Sequence, residues 1–339
     1  MADINVLMVG GRRAGKTSVL ASMDKCCRKQ LAGVEQLSVI RDPDSGIDLN
    51  MKLKELKRYF SKEYKKRPTF VADLQPSVTS ASYGFDVSVN DRELGYKICF
   101  TDIPGEWISN PGHEADMQKA MDQSQVIIIA IDTPHLVEER EAGTGYGKYH
   151  DEFNRVKEIT RFFKQTFQKS KTEHLVLFVP LKCEKYYYRN ADSKAWNMPL
   201  VTKTVQAGYR ELLDFLTKSD VSELCSVAIV PILTLGGAEF NKFDSNGYAG
   251  IYSYVMNPAL QEYLPQYCEQ PLFFTLQYVI AMAERNKRNQ GKISAWFRET
   301  FQNQVKLKDL MNCSGTLRQL IMTDESLGFH ILNDPLHMV

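Results

Sequence analysis

The sequence predicts an α/β fold: a mostly parallel sheet between two helical layers, with one antiparallel hairpin strand and helical insertions. Three observations carry this expectation. Short apolar runs alternate with amphipathic helical patterns, the first run opens into a glycine loop, and residues 85–100 read as a hairpin. Helical crossovers cover both faces of such a sheet, so its strands read as continuous apolar runs.

Residues 4–9 form a buried strand feeding Gly10-Gly11, and residues 16–29 have helical character. A second helical pattern covers residues 46–67, with Leu49, Leu53, Leu56 and Phe60 on one face. There Lys52, Lys54, Lys57, Arg58, Lys62, Lys65, Lys66 and Arg67 oppose only Asp48, Glu55 and Glu63. That excess suits either a solvated amphipathic helix or a surface for an acidic partner. Phe85, Val87 and Val89 alternate, Asn90-Asp91-Arg92-Glu93 supplies turn chemistry, and Tyr96, Ile98 and Phe100 alternate again.

From there strands and helices take turns. Strand 126–132 precedes a helix near 151–168, with Phe153, Val156, Ile159, Phe163 and Phe167 on one face. Strand 174–181 precedes a helix near 201–217, and strand 227–233 follows. After an irregular Gly- and Tyr-rich stretch, Pro271 opens an apolar helix to about residue 288. One amphipathic segment (Ile293, Phe297, Phe301) and a weakly patterned tail remain. The expected organisation is one domain over 1–290, with insertions at about 33–80 and 238–268, and a C-terminal helical extension over 291–339.

Composition narrows the function classes. The 339 residues hold 42 Lys+Arg and 41 Asp+Glu, for a net charge of +1, with 43% hydrophobic residues. Disordered and collagen-like classes are excluded. A balanced charge also argues against a nucleic-acid coat. The seven cysteines include no Cys-x-x-Cys, which suits a reducing interior. The start, MADINVLMVGG, carries neither a charged leader nor a cleavage site, and the longest apolar runs are too short to span a bilayer. A cytoplasmic protein without a transmembrane segment is expected. The six histidines are scattered without metal-ligand spacing.

One motif carries the chemistry. Residues 10–17 read Gly10, Gly11, Arg12, Arg13, Ala14, Gly15, Lys16, Thr17, a full match to G-x-x-x-x-G-K-[ST], with Ser18 next. The match lies between a strand and a helix, where the mechanism requires it. The glycines let the backbone curl so that successive N–H groups face phosphate oxygens, and the helix adds its positive end. Lys16 is then placed to bridge β- and γ-phosphates and Thr17 to ligate Mg²⁺. The fold class becomes a P-loop NTPase three-layer sandwich. Asp102-Ile103-Pro104-Gly105 closes an apolar strand, so Asp102 is the candidate for the Mg²⁺ shell and Gly105 for a hinge at the γ-phosphate.

The hairpin before Asp102 resembles that of translation-factor and Ras-like GTPases. The resemblance implies a base-reading [Asn/Thr]-Lys-x-Asp after a later strand. Literal matches, Thr217-Lys218-Ser219-Asp220 and Asn241-Lys242-Phe243-Asp244, do not leave the carboxyl end of a sheet strand. Leu181-Lys182-Cys183-Glu184 does, with Leu in place of Asn or Thr and Glu in place of Asp. Glu184 is therefore the preferred acceptor for guanine N1–H and amino groups, with Lys182 along the base and Thr234-Leu235 as the second loop around it. In order, GGRRAGKTS, DIPGE, PLKCEK, PILTLGG and CEQPLFFTL resemble the bacterial double-GTPase-like family of P-loop proteins over about residues 3–285.

That resemblance implies a Mg²⁺-dependent, GTP-hydrolysing regulatory switch of bacterial conflict or stress systems, acting on a protein effector or regulator. Ras-like proteins carry Gln after the Asp-x-x-Gly; here Glu106 stands there as the candidate water-orienting residue. Arg12 and Arg13 are either a built-in arginine finger or partners of a neighbouring acid. Thr79, with Thr69 as the alternative, is placed to close over Mg²⁺. A P-loop ATPase or phosphotransferase, and a nucleotide-holding scaffold with little or no hydrolysis, are the alternative functions, with ATP the alternative nucleotide. Partner identity and oligomeric state are not encoded in any motif.

Overall fold

Along β1 (Ala2–Val9) successive side chains feed two different cores: Val6 and Met8 pack to one side, Leu7 and Val9 to the other. The same alternation in the neighbouring parallel strands makes the sheet the middle of three layers. The computed structural model describes residues 2–31, 37–72, 79–89, 92–188, 197–244, 251–288 and 304–339.

Within these residues α1 (Lys16–Leu31) follows β1, then β2 (Leu37–Arg41), α2 (Pro43–Arg58), α3 (Lys62–Lys65) and the short β3 (Phe70–Val71). The hairpin is β4 (Ala81–Val89) and β5 (Arg92–Asp102). Next come α4 (Glu114–Asp122), β6 (Val126–Asp132), α5 (Thr133–Val137), α6 (His150–Asn154), α7 (Val156–Phe167) and β7 (His174–Leu181). After α8 (Glu184–Tyr187), α9 (Met198–Gly208) and α10 (Arg210–Lys218) lie β8 (Cys225–Ile229), β9 (Ala238–Asp244), β10 (Ile251–Met256) and α11 (Gln270–Arg288). Helices Gln304–Asn312 and Ser314–Leu320 precede a last strand, β11 (His330–Asn333).

The main sheet runs β11-β8-β7-β6-β1-β5-β4-β2, with β5, β1, β6, β7 and β8 mutually parallel and β4, β2 and β11 antiparallel to their neighbours. One face carries α1, α2 and α11; the other carries α4, α7, α9 and α10. The carboxyl ends of β1, β5, β6 and β7 therefore lie side by side, and loops leaving them meet at one crevice. A second sheet, β3-β10-β9, joins two segments distant in sequence. All seven cysteines are free thiols, and no helix among the described residues is long and apolar enough to cross a membrane.

Several elements depart from the sequence reading. The pattern at 46–67 is two helices, interrupted where Tyr59 turns fully inward onto Tyr64 and Phe70. Residues 92–93 belong to β5 rather than the turn, because pairing continues through Val89–Arg92 and Ser88–Glu93. The helix near 151–168 breaks at Arg155, which adopts a left-handed conformation (φ 54°), and Phe153 leaves the α7 face. The helix near 201–217 is likewise divided at Tyr209. Strand β8 ends at Ile229, although Val230 and Ile232 still donate to Phe178 and Pro180 carbonyls. The stretch read as irregular contains the regular pair β9 and β10. The expected C-terminal extension supplies two helices and then the edge strand β11. The amphipathic segment at 293–301 lies outside the described residues.

Two buried histidines set an acid limit. His150 accepts from the Asn154 amide through Nδ1, and His174 stacks on Phe167 and meets the Ser170 hydroxyl. Burial lowers both pKa values to about 4. The unfolded chain therefore binds more protons between its ordinary histidine range and that value, and stability falls as pH falls through this window. Each histidine is expected to cost about 2 kcal/mol of stability between pH 7 and pH 5. Urea unfolding at the two pH values checks this, with His150→Asn and His174→Gln variants expected to show a shallower slope.

Candidate functional site

The β1 strand ends at Val9 because the chain must turn sharply. Gly10 (φ 151°) and Gly15 (φ 113°) hold conformations that favour glycine. A side chain at Gly11 would meet the Phe153 carbonyl oxygen at 1.8 Å, so residues 10–11 lie directly on the end of α6. The loop encircles the Lys16 ammonium, which donates to the Gly10 carbonyl at 3.1 Å and lies 3.9 Å from Asp102 Oδ1. Lys16 is only 7% exposed, and burial lowers its pKa against the opposing pull of Asp102.

Register brings Asp102 to this loop: β5 pairs in parallel with β1, and Asp102 stands opposite Met8. The Thr17 hydroxyl donates to Asp102 Oδ2 at 2.5 Å. Asp102 Oδ1 is buried and accepts no hydrogen bond among the described residues. A hydroxyl beside an unshared, buried carboxylate oxygen forms an oxygen-only donor set, which fits Mg²⁺. The next turn presses on the loop, since a side chain at Gly105 would meet the Arg12 nitrogen at 2.3 Å.

Lys182 follows β7 in a left-handed conformation (φ 59°), and its buried ammonium pairs with Asp132 at the end of β6. Burial opposes both charges; the lysine nevertheless holds the Asp132 carboxyl below the ordinary carboxylate range. Glu184, 1% exposed, accepts from the backbone N–H groups of Leu235 (2.8 Å) and Gly236 (3.3 Å) through Oε1. Burial raises its pKa, and those hydrogen bonds oppose the rise. The carboxylate thus ties the two loops at this end of the site together.

One pocket is lined by residues 12–18, Asp102, Gly105, Lys182, Thr234 and Leu235, together with Lys52, Leu56, Tyr59, Ala72, Pro104, Tyr252 and Tyr254. Gly10 and Gly11 form the loop's base, and Glu184 lies behind the lining. Glu106 stands outside, half exposed, in a 2.8 Å ion pair with Arg12. Thr79 and Thr69 are exposed and do not line the pocket. Of the literal base-motif matches, Thr217-Lys218 ends α10 and Asn241–Asp244 lies in β9.

Sequence reasoning missed Asp132, Asn154, His135, Tyr252 and the α2 residues. Asn154 accepts from the Asp132 backbone N–H at 2.7 Å and donates to its carbonyl at 3.2 Å, which fastens α6 to the end of β6. Asp132 did carry a signal: like Asp102, it closes an apolar strand at the carboxyl edge of a parallel sheet. Tyr252 carried none, because its position depends on a strand pairing between distant segments.

The glycine loop, the buried Lys16 and the Thr17–Asp102 pair, set at the carboxyl edge of a mostly parallel sheet, define a P-loop protein. The family model for Double-GTPase 2 matches residues 4–222, and the chain belongs to that family. No curated protein matches it in sequence. Among solved structures it is similar to the S. cerevisiae Ski7 GTPase-like domain bound to GTP, at 12% identity and a TM-score of 0.32 over 69% of this chain and 43% of that one. It is also similar to that domain bound to GDP and inorganic phosphate, at 14% identity and a TM-score of 0.37 over 87% and 51%. The chain spans about half the length of these solved chains.

Proposed function

We propose that the protein is a cytoplasmic GTP-binding regulatory switch that hydrolyses GTP in a Mg²⁺-dependent reaction. The observation that carries this reading is the convergence of Lys16, Thr17, Asp102, Lys182 and Thr234 on one pocket. Backbone N–H groups of residues 12–17 and the Lys16 ammonium bind the phosphates and neutralise their charge. Thr17 and Asp102 would hold Mg²⁺, which when bound supplies positive charge to the phosphate oxygens. Glu184 accepts from Leu235 and Gly236 through one oxygen, and the Thr234–Leu235 loop must shift to bring its second oxygen to the guanine N1–H and amino group, with Lys182 along the ring.

For hydrolysis, Glu106 must part from Arg12 to orient a water, while the Arg12 cation becomes available to the γ-phosphate. Thr79 closes over the metal, and Gly105 acts as the hinge that senses the γ-phosphate. The basic outer surface of α2 and α3 serves an acidic protein effector, and family membership supports a role in bacterial conflict or stress systems. The Arg12–Glu106 pair also favours a second reading, a nucleotide-holding scaffold with little turnover, because the candidate water-orienting carboxylate is engaged elsewhere.

Titration of the purified protein with fluorescent GTP and ATP, with and without EDTA, tests the reading. Tighter binding of GTP, weakened by EDTA, is expected; tighter ATP binding overturns the guanine assignment. Single-turnover hydrolysis separates switch from scaffold: a rate that does not change in Lys16→Ala favours the scaffold.

A further inference from the structure

Tyr252 stands on β10, far from the phosphate loop in sequence, yet its contacts fall on the end of the main sheet. Its hydroxyl donates to Asp132 Oδ2 at 2.8 Å. A phenol has one hydrogen, and that bond uses it, so at the 2.7 Å contact with His135 Nε2 the imidazole is the donor. The Lys182 ammonium lies over the Tyr252 ring, 3.5 Å from its centroid. Burial beside Asp132 pushes the hydroxyl well above the ordinary tyrosine range, so it stays a donor at neutral pH.

Lys182 is therefore held from two directions, by a carboxylate on β6 and a ring on β10. His135 is itself fixed, stacked on Phe153 at 4.2 Å and edge-on to Phe243 at 4.6 Å. The small sheet is anchored through Tyr254, which stacks on Phe70, and Phe70 stacks on Tyr59 at the end of α2. Tyr252, Tyr254, Tyr59 and Lys182 all line the same pocket.

We propose that Tyr252 is a positioning residue for the nucleotide base: it fixes the Lys182 side chain against Asp132, so that affinity for the base half of the nucleotide depends on docking of the small sheet. This rests on the reading of Lys182 and Glu184 as the base site. A free lysine is a flexible four-carbon chain that loses rotamer freedom when it packs on a ligand. Held by ring and carboxylate, Lys182 has lost that freedom before the base arrives, which favours binding. The phosphate half relies on a different lysine, Lys16, whose hydrogen bonds run to the Gly10 and Gly11 carbonyls.

The two halves can be probed separately by calorimetric titration of the full chain with GDP and with pyrophosphate. Tyr252→Phe keeps the ring and loses the hydroxyl; it is expected to bind GDP about tenfold more weakly. Tyr252→Leu loses the ring as well and is expected to bind about a hundredfold more weakly. Pyrophosphate affinity is expected to stay within about twofold of wild type in both, which also reports that the phosphate loop is folded. Equal losses for both ligands would mean that Tyr252 merely maintains the fold, and unchanged GDP affinity would remove its positioning role while the base site stands. Wild-type protein that binds GDP no more tightly than pyrophosphate would overturn the base site itself, and this proposal with it.

Discussion

Replacing Lys16 with alanine is expected to weaken nucleoside triphosphate binding by about a hundredfold or more while leaving the chain folded. The cation is enclosed by the loop, donating to Gly10 and Gly11 carbonyls, with Asp102 beyond bonding distance at 3.9 Å. Its removal also takes the nearest cation from the buried Asp102, which keeps only the Thr17 hydroxyl, so some loss of stability accompanies the loss of binding. What disappears is the charge that the proposed function assigns to the phosphates. Fluorescent-nucleotide titration beside a thermal melt measures both quantities. Wild-type affinity in a Lys16→Ala variant that still melts cooperatively would refute the assignment of residues 10–17 as the phosphate site.

The second large effect is on stability. Asp132→Ala is expected to destabilise the fold by about 3–5 kcal/mol, because it leaves the Lys182 ammonium buried without its counter-charge. Asp132 is 2% exposed, and the same carboxylate also accepts from Tyr252. Adding Lys182→Met should recover much of the loss, since the stranded charge is then gone and an apolar side chain of similar length takes its place. Urea denaturation of the two single variants and the double variant measures this coupling. Additive losses would mean that the pair does not act as a unit.

The parts legible in the sequence were those with local causes. Strands β6 and β7 are buried on both faces, so VIIIAID and HLVLFVPL read as uninterrupted apolar runs and end where expected. The glycine loop and Asp102 were visible because a short motif and a strand end specify them. The breaks at Tyr59, Arg155 and Tyr209 were not, since the apolar period continues across them. At Arg155 the interruption follows Asn154, whose side chain clamps the Asp132 backbone, a contact that no helical period encodes. Lys182 was legible as the residue after an apolar strand. Its partners Asp132 and Tyr252 come from two other segments, and only tertiary structure brings them to it.

The pairing of β3 with β10 bears on how the protein is made. Phe70 and Val71 leave the ribosome long before Tyr254 and Ser253, their partners across the small sheet. A nascent chain halted between β5 and β10 already carries the glycine loop, α1 and Asp102 but lacks the wall formed by Tyr252 and Tyr254. Closing so long a loop is slow and entropically costly. With the base site as proposed, capture of the base half of a nucleotide is postponed until translation has passed β10, and a prematurely terminated product is left with a glycine loop and an incomplete pocket.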